Sequence, residues 1–259
     1  MSIFSPKFNT AAKKEQGGYA LIKAACYGDL KSARKLVERG ADLNMKSQYY
    51  GWTALLEAAE EGHTEIARLL INNGAKLDEM NDIVSETALT HAIENGHTEI
   101  ARMLIEAGAD VNKKGSLGSS PLWKAMEKEN LEIMALLIDK GADLDEVAPI
   151  SGDTLLTKAA SDGKLGVVGL LLEKGVDINE KNMWGRTALM QAAEKEHSAL
   201  VRFLIDKRAD VNAGDIVGWT ALDHAEREGH FKIAQILKNA NAVNRSKPAQ
   251  KRKCNCPTP

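Results

Sequence analysis

The chain copies itself seven times at a step of 33 or 34 residues, and no other feature constrains the fold as tightly. Taking the turn slot ahead of a repeated Thr-Ala-Leu as the start, the copies begin at Gly17, Gly51, Ser85, Gly118, Gly152, Gly185 and Gly218. The successive steps are 34, 34, 33, 34, 33 and 33. A unit this short cannot bury an apolar face alone. It has to stack on its neighbours, and a stack offers a long surface in place of a closed pocket. The period predicts one continuous array over 17–244, with copies at 17–50, 51–84, 85–117, 118–151, 152–184, 185–217 and 218–244, an N-terminal extension at 1–16 and a tail at 245–259.

Each copy carries the signals of two helices. Thr53, Thr87, Ser120, Thr154, Thr187 and Thr220 stand where a hydroxyl can accept a backbone N–H and start a helix. Apolar residues then recur at helical spacing, as in Ile66, Leu69 and Leu70. Gly28, Gly62, Gly96, Gly163 and Gly229 fall between the two helical blocks, and Gly40, Gly74, Gly108, Gly141 and Gly175 follow the second. The unit reads as helix, tight turn, helix, then a projecting hairpin-like loop.

Gly51-Trp-Thr-Ala-Leu-Leu-Glu-Ala-Ala, continued by Gly62-His-Thr-Glu-Ile-Ala-Arg-Leu-Leu-Ile and closed by blocks such as Gly108-Ala-Asp-Val-Asn, resembles the ankyrin repeat over about nine tenths of the chain. The resemblance implies an all-α solenoid of stacked helix-turn-helix units with hairpin-like loops. Departures are local. The slot where the family has His holds Ile22, Leu56, Thr90, Trp123, Thr157, Met190 and Asp223, so that residue's hydrogen bonds are expected to be absent. Glu129, Glu196 and Arg208 replace glycines and predict strained turns. The last apolar slot of the second helix is Glu38 in the first copy and Lys238 in the last, as terminal copies with one face in water require.

Net charge, −2 overall, is unevenly spread: the tail carries +5, residues 1–16 carry +2, and the array carries −9. That sign opposes nucleic-acid binding by the array. No apolar run of about 18 residues exists to span a membrane. With no secretory signal and only Cys26, Cys254 and Cys256, an intracellular, cytoplasmic protein is expected. The basic tail leaves three readings open: a solubilising tail, nuclear import or an anionic-surface patch at Lys251 to Lys253, and acylation of Cys254 and Cys256. No phosphate loop, His-Glu-x-x-His, Gly-x-Ser-x-Gly or Cys-x-x-Cys is present, so neither catalysis nor a cofactor is expected. His63, His97, His197 and His230 sit in the family's turn-serving slot, His91 and His224 are expected to face the groove, and no metal site is indicated.

In the family the partner lies along the concave side, against the loop tips and the ends of the first helices. Six of the eight Trp and Tyr residues fall in those slots, where chance scatter places about one: Tyr27, Tyr49, Tyr50, Trp52, Trp184 and Trp219. Ile83, Val84, Leu117, Met183, Ile216 and Val217 share them. Such side chains either form a recognition strip or fold back on the neighbouring loop. Glu60, Glu61, Glu94 and Glu127, with Glu57, Asp162, Glu194 and Glu228, flank the strip and predict a partner bearing Arg or Lys beside apolar anchors. The expected function is that of a monomeric scaffold or adaptor for an extended basic and apolar protein segment. The alternatives are an inhibitor of a partner enzyme, a pathogen effector acting on host protein, or a binder of small molecules or nucleotides between repeats, for which Lys124, Lys158 and Arg186 are the only hint.

Overall fold

The structure is a computed structural model that describes residues 6–115 and 118–242, with side chains from residue 16 onward. The tail residues Lys251 to Lys253, Cys254 and Cys256, for which import, anionic-surface and acylation readings are open, and the site residue Leu117 lie outside the described residues. The chain folds as α1 Pro6–Cys26, α2 Leu30–Glu38, α3 Ala54–Glu61, α4 Thr64–Asn72, α5 Ala88–Glu94, α6 Thr98–Glu106, α7 Pro121–Glu127 and α8 Leu131–Asp139. It continues as α9 Leu155–Ser161, α10 Leu165–Glu173, α11 Ala188–Glu194, α12 Ser198–Asp206, α13 Ala221–Glu228 and α14 Phe231–Asn239. There is no strand among the described residues. Two isolated bridges, Met80 with Thr87 and Val147 with Thr154, close the bases of two loops.

The described helices form two compact units, α1 to α8 before residue 144 and α9 to α14 after it. In the first, α1, α3, α5 and α7 pack in order, and α2, α4, α6 and α8 pack in order behind them. In the second, α9, α11 and α13 pack in order, each against its own second helix. Alanines such as Ala58, Ala59, Ala92, Ala192 and Ala193 are fully buried and let the first helices approach closely. Leu55, Ile66, Leu70, Leu89, Ile100 and Leu104 fill the first core; Leu156, Val168, Leu171, Leu189 and Leu204 fill the second. Each such side chain contributes about 1.5–3 kcal/mol on leaving water.

All six hydroxyl starts cap their helices, accepting the backbone N–H three residues on at 3.1–3.4 Å. The slot where the family has His, three residues further on, makes hydrogen bonds of its own at three copies. Thr90, Thr157 and Asp223 each accept the N–H of the capping residue, closing a reciprocal capping box over a second orphan donor. Glu129, Glu196 and Arg208 take left-handed backbone, φ 54°, 64° and 67°, as their replacement of glycine predicts.

The Gly-His slot joins one pair to the next. His63 donates from Nε2 to the Cys26 carbonyl at 3.2 Å, and His97 to the Glu60 carbonyl at 3.0 Å. In the second unit His197 reaches the Ser161 carbonyl at 2.9 Å and His230 the Glu194 carbonyl at 3.0 Å. These carbonyls end the preceding first helix, where no intrahelical partner exists. In the first copy, which has no predecessor, the slot is Asp29, which instead caps its own helix through Ser32 N–H at 3.0 Å.

Candidate functional site

The difference between 33 and 34 residues lies at the loop tips. At two of the three steps of 34 the tip closes over five residues, with Gly51 N–H on the Ser47 carbonyl and Gly152 N–H on the Ala148 carbonyl. Where the step is 33, the tip closes over four, as in Gly118 on Gly115, Gly185 on Asn182 and Gly218 on Asp215. Asn81, Asn182 and Asp215 organise their tips by accepting two backbone N–H groups on one side-chain oxygen, at 2.9–3.3 Å. Sequence reasoning missed these residues, although an Asn or Asp recurring three or four places ahead of the turn slot was a usable signal.

Successive tips are linked through the backbone. Asp82 N–H donates to the Tyr50 carbonyl at 3.0 Å, Met183 N–H to the Gly152 carbonyl at 3.1 Å and Ile216 N–H to the Trp184 carbonyl at 3.1 Å. Gly51, Gly152 and Gly185 are doubly required, by a positive φ and by a close neighbour. Gly152 has φ 66°, and a Cβ there would stand 1.9 Å from the Met183 sulfur.

In the first unit the tips present Tyr49, 80% exposed, with Tyr50, Ile83 and Val84. Tyr27, also exposed, lies apart from them, beside a groove between α1 and α2. In the second unit Ile150 is 98% exposed and is followed by Met183, Trp184, Ile216 and Val217, all exposed. Trp184 is held at its rim by Nε1–H donating to the Ser151 carbonyl at 3.2 Å.

Trp52 and Trp219 depart from that pattern: both are half-buried, each lying over a histidine. Trp52 covers His91 at 4.8 Å between ring centroids, and Trp219 meets His224 edge-on at 5.5 Å. The expectation that His91 and His224 face the groove is therefore corrected; both are buried. A carboxylate only accepts, so His91 donates from Nδ1 to Glu60 at 2.6 Å and accepts at Nε2 from the Asn81 amide at 3.0 Å. His224 has the opposite tautomer. Its Nε2–H donates to Asp215 at 3.0 Å, while the Nδ1 lone pair has no hydrogen-bond partner and faces Glu194 at 3.4 Å. Burial holds the His224 pKa below the usual histidine value, against the opposing pull of Asp215.

Most of the acids named from sequence are engaged within the fold. Glu60 also accepts from Asn95 at 2.8 Å; Glu94 pairs with Lys124; Asp162 pairs with Lys158 at 2.8 Å. Glu194 pairs with Arg186 at 2.8 Å and Arg227 at 3.6 Å, and Glu228 with Arg227 at 2.6 Å. Glu61 and Glu127 stand exposed at the ends of α3 and α7. Burial raises the pKa of Glu57, which accepts a hydrogen bond from the Cys26 thiol, and burial with the Glu57 charge raises that of Cys26. The three cations that hinted at a nucleotide pocket are spent as well. Lys124 also pairs with Glu86 at 3.0 Å, and its ammonium stays charged because these bonds outweigh its burial.

The comparisons with known proteins agree with this geometry. The family model for ankyrin repeats matches residues 21–115, 111–182 and 156–247. The ankyrin repeat domain of human ASB11 is 25% identical, covering 86% of this chain and 98% of its own, with a TM-score of 0.71. That of Bcl-3, described as a member of the IkappaB protein family, is 28% identical over 85% and 97%, with a TM-score of 0.74. An ankyrin repeat domain from Acinetobacter baumannii AYE is 32% identical over 73% and 98%, with a TM-score of 0.66. No curated protein matches the chain. Period, paired helices, histidine bridges and linked tips converge with these likenesses, and the chain belongs to the ankyrin repeat family.

Proposed function

We propose that this protein captures another protein at its loop tips, taking an extended segment with apolar anchors and basic residues between them. Ankyrin repeat domains are in general protein–protein interaction modules. The observation that carries the reading here is the run Ile150, Met183, Trp184, Ile216 and Val217. All five are exposed, and the backbone bonds between tips hold them in fixed register. Large apolar side chains fixed on a surface lose little entropy when covered, and buried aromatics are a usual source of binding energy. The array's −9 charge supports a basic partner through its general field, since most of the individual acids are already paired.

The test is a pull-down from cell extract with the native chain and a variant carrying Tyr49→Ala, Tyr50→Ala, Met183→Ala and Trp184→Ala. The expected result is loss of a specific protein band with thermal unfolding unchanged. Undiminished capture of the same band would overturn the proposal. Trp52 and Trp219 are left out of the variant because removing them would uncover His91 and His224.

A further inference from the structure

The outer face of the first helix pair carries a groove between α1 and α2 of about 440 Å³. Its floor is Ala20, Ala24 and Leu36; its walls are Lys23, Lys35 and Arg39. The floor is built as if to be covered. Ala54 and Ala88, at the slot of Ala20, and Leu70 and Leu104, at that of Leu36, are at most 1% exposed beneath the preceding pair. Ala20 is exposed and Leu36 half-exposed. The walls are mostly basic, and the one acid of the lining, Asp29, is already engaged in capping α2 through Ser32. Lys31 and Arg34 add to Lys23, Lys35 and Arg39, all five are exposed, and none has an acid within ion-pairing distance among the described residues. Several cations elsewhere in the unit are engaged: Arg68 with Glu99, Arg102 with Glu132, Lys124 with Glu94. Solubility of a terminal pair asks for polar residues but not for so large an excess of one sign.

We propose that this groove docks an acidic amphipathic helix of another protein, lying where a preceding repeat would lie. Small apolar residues along one stripe of that helix would meet Ala20, Ala24 and Leu36. Its Glu or Asp residues would meet Lys23, Lys35 and Arg39, with Tyr27, 73% exposed, closing over its end. The chain's own tail is a poor occupant, because its +5 charge repels the groove. This partner is opposite in charge to the one proposed for the tips, so the two surfaces are separable.

The test uses the full chain and a fluorescent, hydrocarbon-stapled helix of about 14 residues, with Ala or Leu on one stripe and Glu elsewhere. The staple is needed because a free helix of that length is marginal in water. Fluorescence polarisation should show saturable binding that weakens as salt rises. Binding should fall at least tenfold for Lys23→Glu with Lys35→Glu and Arg39→Glu, and equally for Ala20→Trp, which fills the floor and leaves the charges. Tyr49→Ala with Trp184→Ala should leave it unchanged. Equal binding of a stapled helix with Lys in place of Glu, or no loss with either groove variant, would overturn the proposal. Sedimentation of the chain on phosphatidylserine vesicles that needs the same lysines, without binding of the Glu helix, would assign the face to a membrane and overturn it. Self-association abolished by the triple substitution would assign it to a second copy, with the same consequence.

Discussion

At the scale of single residues, the two covered histidines decide which aromatics are free. Spacing alone put His91, His224, Trp52 and Trp219 on one surface. The structure folds each Trp over a His, across copies in one case and within a copy in the other, so no single sequence interval marks the pairing. His224 gives a pH prediction. Its folded pKa lies below the unfolded value of about 6.5, so in the window beneath that value the unfolded chain binds more protons. Stability is therefore full at higher pH and is lost as the pH falls through about 6.5 toward the folded value. Denaturant unfolding at pH 7.5 and 5.5 should show this loss, and His224→Gln, which still donates to Asp215, should reduce it. The variant comparison matters because Glu180, whose pKa burial raises, pushes stability the opposite way at lower pH. A second prediction concerns Gly152→Ala, which forces a Cβ onto Met183 in a left-handed turn. It should cost at least about 1 kcal/mol and broaden the amide resonances of both tips.

At the scale of elements, the starts of six first helices were readable, because the capping hydroxyls recur and do what isolated caps do. The turns at Glu129, Glu196 and Arg208 were readable for the reverse reason: each fills a slot where the backbone needs a positive φ. Glu196→Gly or Arg208→Gly should relieve about 1–2 kcal/mol of backbone strain and return part of it as unfolded-chain entropy. A net gain of about 0.5–1 kcal/mol in chemical denaturation is expected. The histidine bridges run the other way. His97→Ala leaves the Glu60 carbonyl without its donor and should cost about 1 kcal/mol, more than the same change at an exposed helix position.

At the scale of the molecule, fold class and copy number lay in the period, whereas the composition of the surface did not. Sequence counts charges but not their partners: Glu94, Asp162, Glu194 and Glu228 are paired with Lys124, Lys158, Arg186 and Arg227, whereas Glu61 and Glu127 stand exposed. The exposed tips were legible because large apolar residues in turn slots are chemically out of place. The basic groove of the first pair was not, since it depends on which face lacks a neighbour. Unequal support within the first unit should also be measurable. Among the residues of α2 only Ala33 is buried, whereas α4 buries Ile66, Ala67 and Leu70. Native-state hydrogen exchange should find the amides of α2 opening at least tenfold faster than those of α4.

The histidine bridges also give each unit a direction in time. A carbonyl at the end of one first helix waits for a ring that lies 36 or 37 residues further along the chain. On a ribosome adding about 5–20 residues per second, that wait is about 2–7 s. A newly emerged pair is thus left ajar until its successor latches it, and the nascent polypeptide closes like a zip, from its first-made end.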